Sequence, residues 1–174
     1  LGNDFYKLWL DASMSYSSAL YRTVDDGDLA TAQRAKYRRI LRRLQAEAGQ
    51  SVLEIGCGWG GFAELAVQEG LQVTGLTLSP AQLAWAQQRV PGANLRLQDY
   101  RDTNEQFDHI VSIEMFEAVG ERWWPTYFRT VAKALKPGGR AVIQSITIRE
   151  DLFADYRKGT DFIQQYVFPG GMLP

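Results

Sequence analysis

One cysteine and one histidine in 174 residues leave little material for metal or nucleophilic chemistry. A disulfide within the chain is excluded, and the free thiol points to a reducing compartment, so a cytoplasmic location is expected. Zinc would have to be held almost wholly by carboxylates, so no metal site is expected. A Ser-His-Asp arrangement would rest on His109 alone, where the simpler reading is a surface histidine at the start of a strand. Cys57 reads as a small residue filling a tight turn, not as a nucleophile. No apolar run approaches the ~20 residues of a membrane span, and no signal peptide is visible. A net charge of −1 gives no global attraction for nucleic acid, and none is expected as a partner. The chain starts without methionine and closes on Pro169-Gly170-Gly171-Met172-Leu173-Pro174, so it is expected to be a piece of something longer.

A composition that is 45% hydrophobic and 12% aromatic supports one packed core, and residues 1–174 read as a single domain. Residues 30–48 read as a helix with Tyr37, Leu41, Leu44 and Ala48 on one face. Strand 52–56 leads into helix 60–69, closed by Gly70. Strand 72–76 precedes Ser79-Pro80, a cap followed by proline in the first helical position, and a helix over 80–90. Strands follow near 94–98 and over 109–113, then a helix near 123–135. A turn at Lys136-Pro137-Gly138-Gly139 precedes strand 140–147 and a helix over 151–165. This alternation predicts an α/β fold: a doubly wound, mostly parallel, Rossmann-like sheet with helices on both faces. In such sheets the ligand lies beyond the carboxyl ends of the strands. The glycine loop, Thr77–Ser79, Asp99-Tyr100 and Ile113–Glu117 all follow strands on that edge.

The richest stretch is Val52-Leu53-Glu54-Ile55-Gly56-Cys57-Gly58-Trp59-Gly60-Gly61, an apolar strand running into a glycine turn. Gly56, Gly58 and Gly61 fit G-x-G-x-x-G, so a nicotinamide or flavin dinucleotide has to be weighed. That reading also wants an acid at the end of the second strand for the ribose. The place reads Gly75-Leu76-Thr77-Leu78-Ser79 and holds none. Acids stand at Glu54 and Asp99 instead. Carboxylates there suit the cationic sulfonium and ammonium of S-adenosylmethionine and would repel a pyrophosphate.

Glu54-Ile55-Gly56-Cys57-Gly58-Trp59-Gly60-Gly61, followed by Gly75-Leu76-Thr77-Leu78-Ser79 and Gln82, resembles the cyclopropane-fatty-acid synthase family of S-adenosylmethionine-dependent methyltransferases, which takes in the mycolic acid cyclopropane synthases. Leu1-Gly2-Asn3-Asp4-Phe5-Tyr6, Leu10-Asp11 and Met14-Ser15-Tyr16-Ser17 resemble its N-terminal segment. Val111–Glu117 and Phe168-Pro169-Gly170-Gly171 resemble two later blocks, so the resemblance covers the whole chain. It implies that Gly56 and Gly58 carry the methionine part of the cofactor on backbone groups, and Glu54 and Gly60 count among the cofactor-binding residues. Thr77, Leu78, Ser79 and Gln82 would hold the ribose, and Asp99 and Tyr100 would border the adenine. Tyr16 and Ser17 would close over the cofactor. It divides the chain into a capping segment (1–29), a basic helix (30–48), a cofactor-binding core (50–150) and the start of a substrate-side segment (151–174).

The family's reaction adds a methyl(ene) group to the double bond of an unsaturated fatty acyl chain of a lipid, closing a cyclopropane ring. Bicarbonate takes the released proton at a site built from a cysteine, a glutamate, a histidine and a distant tyrosine. Here Glu117 matches the glutamate, Ser18 stands at the cysteine and Gln144 at the histidine, while the tyrosine falls beyond residue 174. Glu117, Ser18 and Gln144 are the candidate catalytic residues, with bicarbonate as a candidate acceptor. The departures bear more on ring closure than on methyl transfer. A methyl-branched acyl product and methylation of a small amine therefore stay open, as do an NAD-dependent oxidoreductase and a cofactor-binding fragment without activity. Arg34, Lys36, Arg38, Arg39, Arg42 and Arg43 form either a solvated helix face or a contact for an anionic membrane surface. A sheet ending at the fifth strand leaves an open edge, a template for a homo-oligomer.

Overall fold

The computed structural model describes residues 2–21, 23, 27–160, 162, 165–166 and 170–174. Phe168 and Pro169 of the last family block, Leu1 of the first, and parts of the helix expected over 151–165 lie outside the described residues. A short helix, α1 (Asn3–Tyr6), precedes α2 (Leu29–Leu44). The core then alternates: β1 (Ser51–Ile55), α3 (Gly61–Gln68), β2 (Gln72–Thr77), α4 (Pro80–Arg89), β3 (Asn94–Leu97), β4 (Phe107–Ile113), α5 (Trp124–Ala134) and β5 (Leu135–Gln144). A last helix, α6 (Glu150–Tyr156), follows. The strands pair in parallel in the order β3-β2-β1-β4-β5. The order reverses between β1 and β4, so the crevice of this doubly wound sheet opens where β1 and β4 end.

Side-chain alternation along the strands sorts the core into two layers. Val52 and Val111 pack with Tyr37, Ile40 and Leu44 of α2 and Phe62 and Ala66 of α3. Leu53, Ile55 and Ile110 pack on the other side with Phe116, Tyr127 and Val131. Glu54 shares its face with Val52, so its carboxylate is turned into the layer that holds α2 and α3. Burying apolar area on both faces contributes about 25 cal/mol per Å2, which fixes the register of the sheet.

The structure corrects several local expectations. Helix α2 stops at Leu44 because Gln45 takes a left-handed conformation (φ 55°), so Ala48 lies outside it. The buried stripe of α2 is Ala32, Gln33, Lys36, Tyr37, Ile40 and Leu44, so Lys36 is not part of the basic solvent face. The expected turn at 136–139 sits inside β5: Phe107 pairs with Leu135 and His109 with Arg140, so those four residues loop out opposite Asp108. His109 is not at the surface. It is buried at the amino edge of the sheet, where Nε2 meets Gln50 Oε1 at 2.8 Å, remote from the carboxyl-edge crevice.

Candidate functional site

Strand β1 ends in a tight turn. The backbone N–H groups of Gly56 and Cys57 both donate to Leu76 O, at 3.0 and 2.8 Å, which pins the loop to the end of β2. Gly56 has φ +84°, and a Cβ there would stand 2.9 Å from Met115 Cγ, so a side chain would be both strained and crowded. Gly60 answers a different need. A Cβ on it would meet Val90 and Ala86 at 3.2 and 3.3 Å, so it lets α4 pack closely and lies off the crevice. Cys57 is buried, and burial pushes its thiol well up, which agrees with a space-filling role.

A cavity of about 650 Å3 opens above this loop. Among the residues read from the sequence, Tyr16, Ser17, Glu54, Gly56, Gly58, Thr77, Leu78, Gln82, Asp99 and Tyr100 line it. Gly60, Ser79, Ser18, Glu117 and Gln144 do not. Ser79 instead caps α4, its Oγ accepting from Gln82 N at 3.3 Å. Thr77 Oγ1 accepts from Ser79 N (3.1 Å) and donates to Gln82 Oε1 (3.0 Å), which sets the Gln82 amide at the cavity wall with its nitrogen free of these bonds. Asp99 is tied to Arg101, with Oδ2 2.6 Å from Nη2 and Oδ1 accepting from Arg101 N and Nε at 2.9 Å; these bonds hold its carboxyl below the usual range. Tyr100 is fixed by an edge contact with Tyr127, 5.5 Å between centroids.

Glu54 is a strongly perturbed group of the wall. It is only 3% exposed, and desolvation raises its pKa well above the carboxylate range against the pull of Lys36 and a bond from Ala63 N. Its Oε2 has no hydrogen-bond partner among the described residues. The bond from Ala63 occupies the first turn of α3, where a phosphate would otherwise find free N–H groups.

The N-terminal segment is laid over the crevice by aromatic contacts. Tyr16 packs on Tyr6 and Trp9, and Tyr6 on Trp59, at 5.2, 5.6 and 5.0 Å between centroids. Trp59 Nε1 donates to Asn3 Oδ1 at 2.8 Å. Tyr16 is thus a partly exposed lid residue and not a buried core aromatic.

Ser18 and Gln144 come together, but on a residue the sequence reading passed over. Glu114 Oε1 accepts from Ser18 N at 2.9 Å and from Gln144 Nε2 at 2.8 Å, and Glu114 lines the cavity with a left-handed backbone, φ 48°. A non-glycine residue held there is the kind of strain that clusters at functional sites. Its position directly after β4 was the available signal. Glu117 is buried one turn further on. Its Oε1 accepts from Ile146 N at 2.5 Å, while Oε2 has no partner among the described residues. Lys36 was also passed over. It is 4% exposed and falls on the apolar stripe of α2 at the spacing of Gln33 and Ile40, which periodicity alone would have flagged.

The model of the mycolic acid cyclopropane synthetase family matches residues 1–174. The cyclopropane-fatty-acyl-phospholipid synthase of Escherichia coli K12 is 43% identical over 178 residues, covering 100% of this chain and 45% of that protein. The tuberculostearic acid methyltransferase UfaA1 of Mycobacterium tuberculosis is 40% identical over 186 residues, covering 100% and 44%. The chain thus spans about half the length of the curated relatives it matches. Among solved structures, the mycolic acid cyclopropane synthase CmaA1 complexed with SAH and CTAB superposes with a TM-score of 0.88 at 32% identity, over 99% of this chain and 66% of that one. With the strand order, the glycine turn and the crevice above it, these matches place the chain in the mycolic acid cyclopropane synthetase family.

Proposed function

We propose that this chain is the cofactor-binding part of an enzyme that transfers a methyl(ene) group from S-adenosylmethionine to the double bond of an unsaturated fatty acyl chain of a lipid, forming a cyclopropane ring. The observation that carries the cofactor reading is the acid-free end of β2 combined with a buried, half-partnered carboxylate, Glu54, beneath the glycine loop. A dinucleotide fits worse, because Glu54 takes the α3 N–H that a pyrophosphate would need and no acid stands at the end of β2 for its ribose. The cavity lies within the roughly 300–1,000 Å3 of small-molecule sites. Backbone groups of Gly56 and Gly58, with Glu54, would hold the amino-acid end of the cofactor. Thr77, Leu78 and Gln82 would hold the ribose, Asp99 and Tyr100 the adenine, and Tyr16 and Ser17 would cover it. When bound, the cofactor supplies an electrophilic methyl group on a sulfonium.

An alkene is a weak nucleophile, so the protein contributes alignment and exclusion of water. Apolar walls from Ile55, Leu76, Met115, Val119 and Trp123 suit an acyl chain, and the acyl reading agrees with the names of the relatives. Positive charge that develops on the chain would lie near Glu114, and Glu117 would orient the group that removes the proton, with bicarbonate as the candidate acceptor. A second reading has its own observation. Gln144 Nε2 donates to Glu114 Oε1 at 2.8 Å and to Ser18 O at 3.4 Å, so its amide is taken up, and the Glu114 charge opposes an anion beside it. Loss of a proton from a neighbouring chain carbon would then give an unsaturated methyl branch in place of a ring. UfaA1 is named a methyltransferase.

The full protein, incubated with S-adenosylmethionine and a monounsaturated phospholipid, is expected to add one CH2 to the acyl chain by mass spectrometry, and fragmentation separates ring from branch. No mass gain would overturn the transferase reading. The exposed Arg34, Arg38, Arg39, Arg42 and Arg43 of α2 support contact with an anionic membrane surface, at about 1 kcal/mol each near the headgroups. Vesicle sedimentation that ignored anionic lipid and salt would count against that contact. No helix among the described residues is long and apolar enough to cross a membrane. If the outer edge of β5 is unpaired in the full protein, it would be the pairing surface for a homo-oligomer, which light scattering checks.

A further inference from the structure

Helix α2 reads the cavity's N-terminal strap through one face. Gln33 Nε2 donates to Ser17 O at 2.8 Å, Lys36 Nζ donates to Ser17 Oγ at 2.6 Å, and Tyr37 OH shares a hydrogen bond with Ser15 Oγ. Spaced i, i+3 and i+4, these three side chains anchor Ser15 and Ser17 of the strap. The lysine is the unusual member. It is buried, and among the described residues it forms no ion pair, although Glu114, Glu54 and Asp11 are near enough to favour its charge. Glu54 is buried on the same side of the sheet. Burial disfavours the charged form of both groups, and a ligand bearing both signs would complete each of them and favour its charge.

We propose that Lys36 positions the α-carboxylate of the cofactor through Ser17. An ammonium has three N–H donors and no lone pair, so Ser17 Oγ must accept from it. The Ser17 hydroxyl proton is then left to donate into the cavity that Ser17 lines. Lys36 thereby turns a hydroxyl of undecided polarity into a fixed donor, with a buried positive charge behind it. Glu54, on the glycine-loop side, takes the α-ammonium. The amino-acid end of the cofactor, a zwitterion, would lie between the two charges that the free protein holds apart. This rests on the S-adenosylmethionine reading above.

The test compares S-adenosylhomocysteine, which carries the amino-acid end, with 5′-methylthioadenosine, which lacks it, by calorimetry on the full protein. Lys36→Met is expected to weaken the first about 10- to 100-fold, the range for a lost charge-assisted hydrogen bond, and to leave the second within about twofold. Ser17→Ala should weaken S-adenosylhomocysteine alone, and adding Lys36→Met to it should cost little more. Wild-type affinity for S-adenosylhomocysteine should fall as pH rises past about 8, where Lys36 loses its proton, and the Lys36→Met variant should keep only the fall that comes from the ligand's own α-ammonium. Glu54, Glu114 and Asp11 face the ammonium and Tyr37 adjoins it, so the variant comparison isolates the lysine. Equal loss for both ligands would make Lys36 a structural residue and overturn the inference, as would an unchanged affinity for S-adenosylhomocysteine. A wild-type protein that binds neither ligand would instead sink the cofactor reading itself.

Discussion

Replacing Lys36 with methionine is expected to stabilise the cofactor-free protein at neutral pH. The residue is 4% exposed, and desolvation lowers its pKa from 10.5 to about 8 in spite of Glu114, Glu54 and Asp11. A displacement of that size means the fold disfavours the charged side chain by about 3 kcal/mol relative to the unfolded chain. Methionine keeps the packing of the apolar stem and removes the charge. It also removes the hydrogen bond from the charged Lys36 to Ser17, which contributes about 1.5 kcal/mol net. The balance is a gain of about 1.5 kcal/mol, or roughly 3–6 °C in melting temperature for a domain of this size. The pH dependence supplies a sign check. Because the folded pKa is the lower one, the unfolded state binds more protons between about 8 and 10.5, and wild-type stability rises through that window. The variant lacks this rise, so its advantage shrinks towards about pH 10. Urea unfolding of the full protein at the two ends of the window measures both effects. A variant less stable by more than about 1 kcal/mol at neutral pH, or a difference that ignores pH, would refute the reasoning. The opposite signs expected for stability and for S-adenosylhomocysteine binding are the trade-off of a site that keeps a costly charge for its ligand.

Glu54→Gln is expected to flatten the pH dependence of stability. The folded pKa of Glu54 is raised, so its contribution is complete below about 4.5 and is lost as pH rises through the folded value; urea midpoints across that range check this. Gly75→Ala should cost about 1–3 kcal/mol, because the new Cβ would stand 2.6 Å from Leu95 Cδ2 and 2.9 Å from Cys57 Cβ. Leu95→Ala alone should cost about 2–5 kcal/mol but less in the Gly75→Ala background, and a double-mutant cycle giving simple additivity would contradict the crowding. Asp108→Asn should cost about 1–2 kcal/mol, discounted for the partial exposure of Asp108. It weakens a carboxylate that accepts from Ser51 N, Ser51 Oγ and Lys136 Nζ at 2.8, 2.6 and 2.9 Å. These bonds hold Asp108 well below the carboxylate range, so the cost is present above about pH 4 and vanishes as acid protonates the folded group.

The strands and helices of residues 50–135 were legible because each carries its own local signal. The apolar run at 52–55 marks a strand buried on both faces, and Ser79-Pro80 marks a helix start. The turn at Lys136–Gly139 was right in kind, but no local signal says that a strand resumes in register beyond it; that is decided by the Asp108 and Ser51 contacts across the sheet. The same limit applies to His109, whose burial depends on Gln50, 59 positions away. Reading α2 by charge misplaced Lys36, since a lysine is exposed far more often than buried and its partners here are Ser17 of the strap and the face of the Tyr37 ring.

For the site, the glycine turn, Glu54 and the missing acid at the end of β2 all lie within one β-α-β stretch of the chain, so the sequence alone determined the family and the kind of cofactor to propose. It could not order the groups around the acceptor. Ser18, Glu114 and Gln144 lie 96 and 30 positions apart, and their meeting is settled by the parallel pairing of β4 with β5 and by the strap that α2 holds in place. Backbone hydrogen bonding and side-chain period act over a few residues and are written locally. Which carboxylate a distant amide reaches depends on how whole layers pack, and that is decided only in three dimensions.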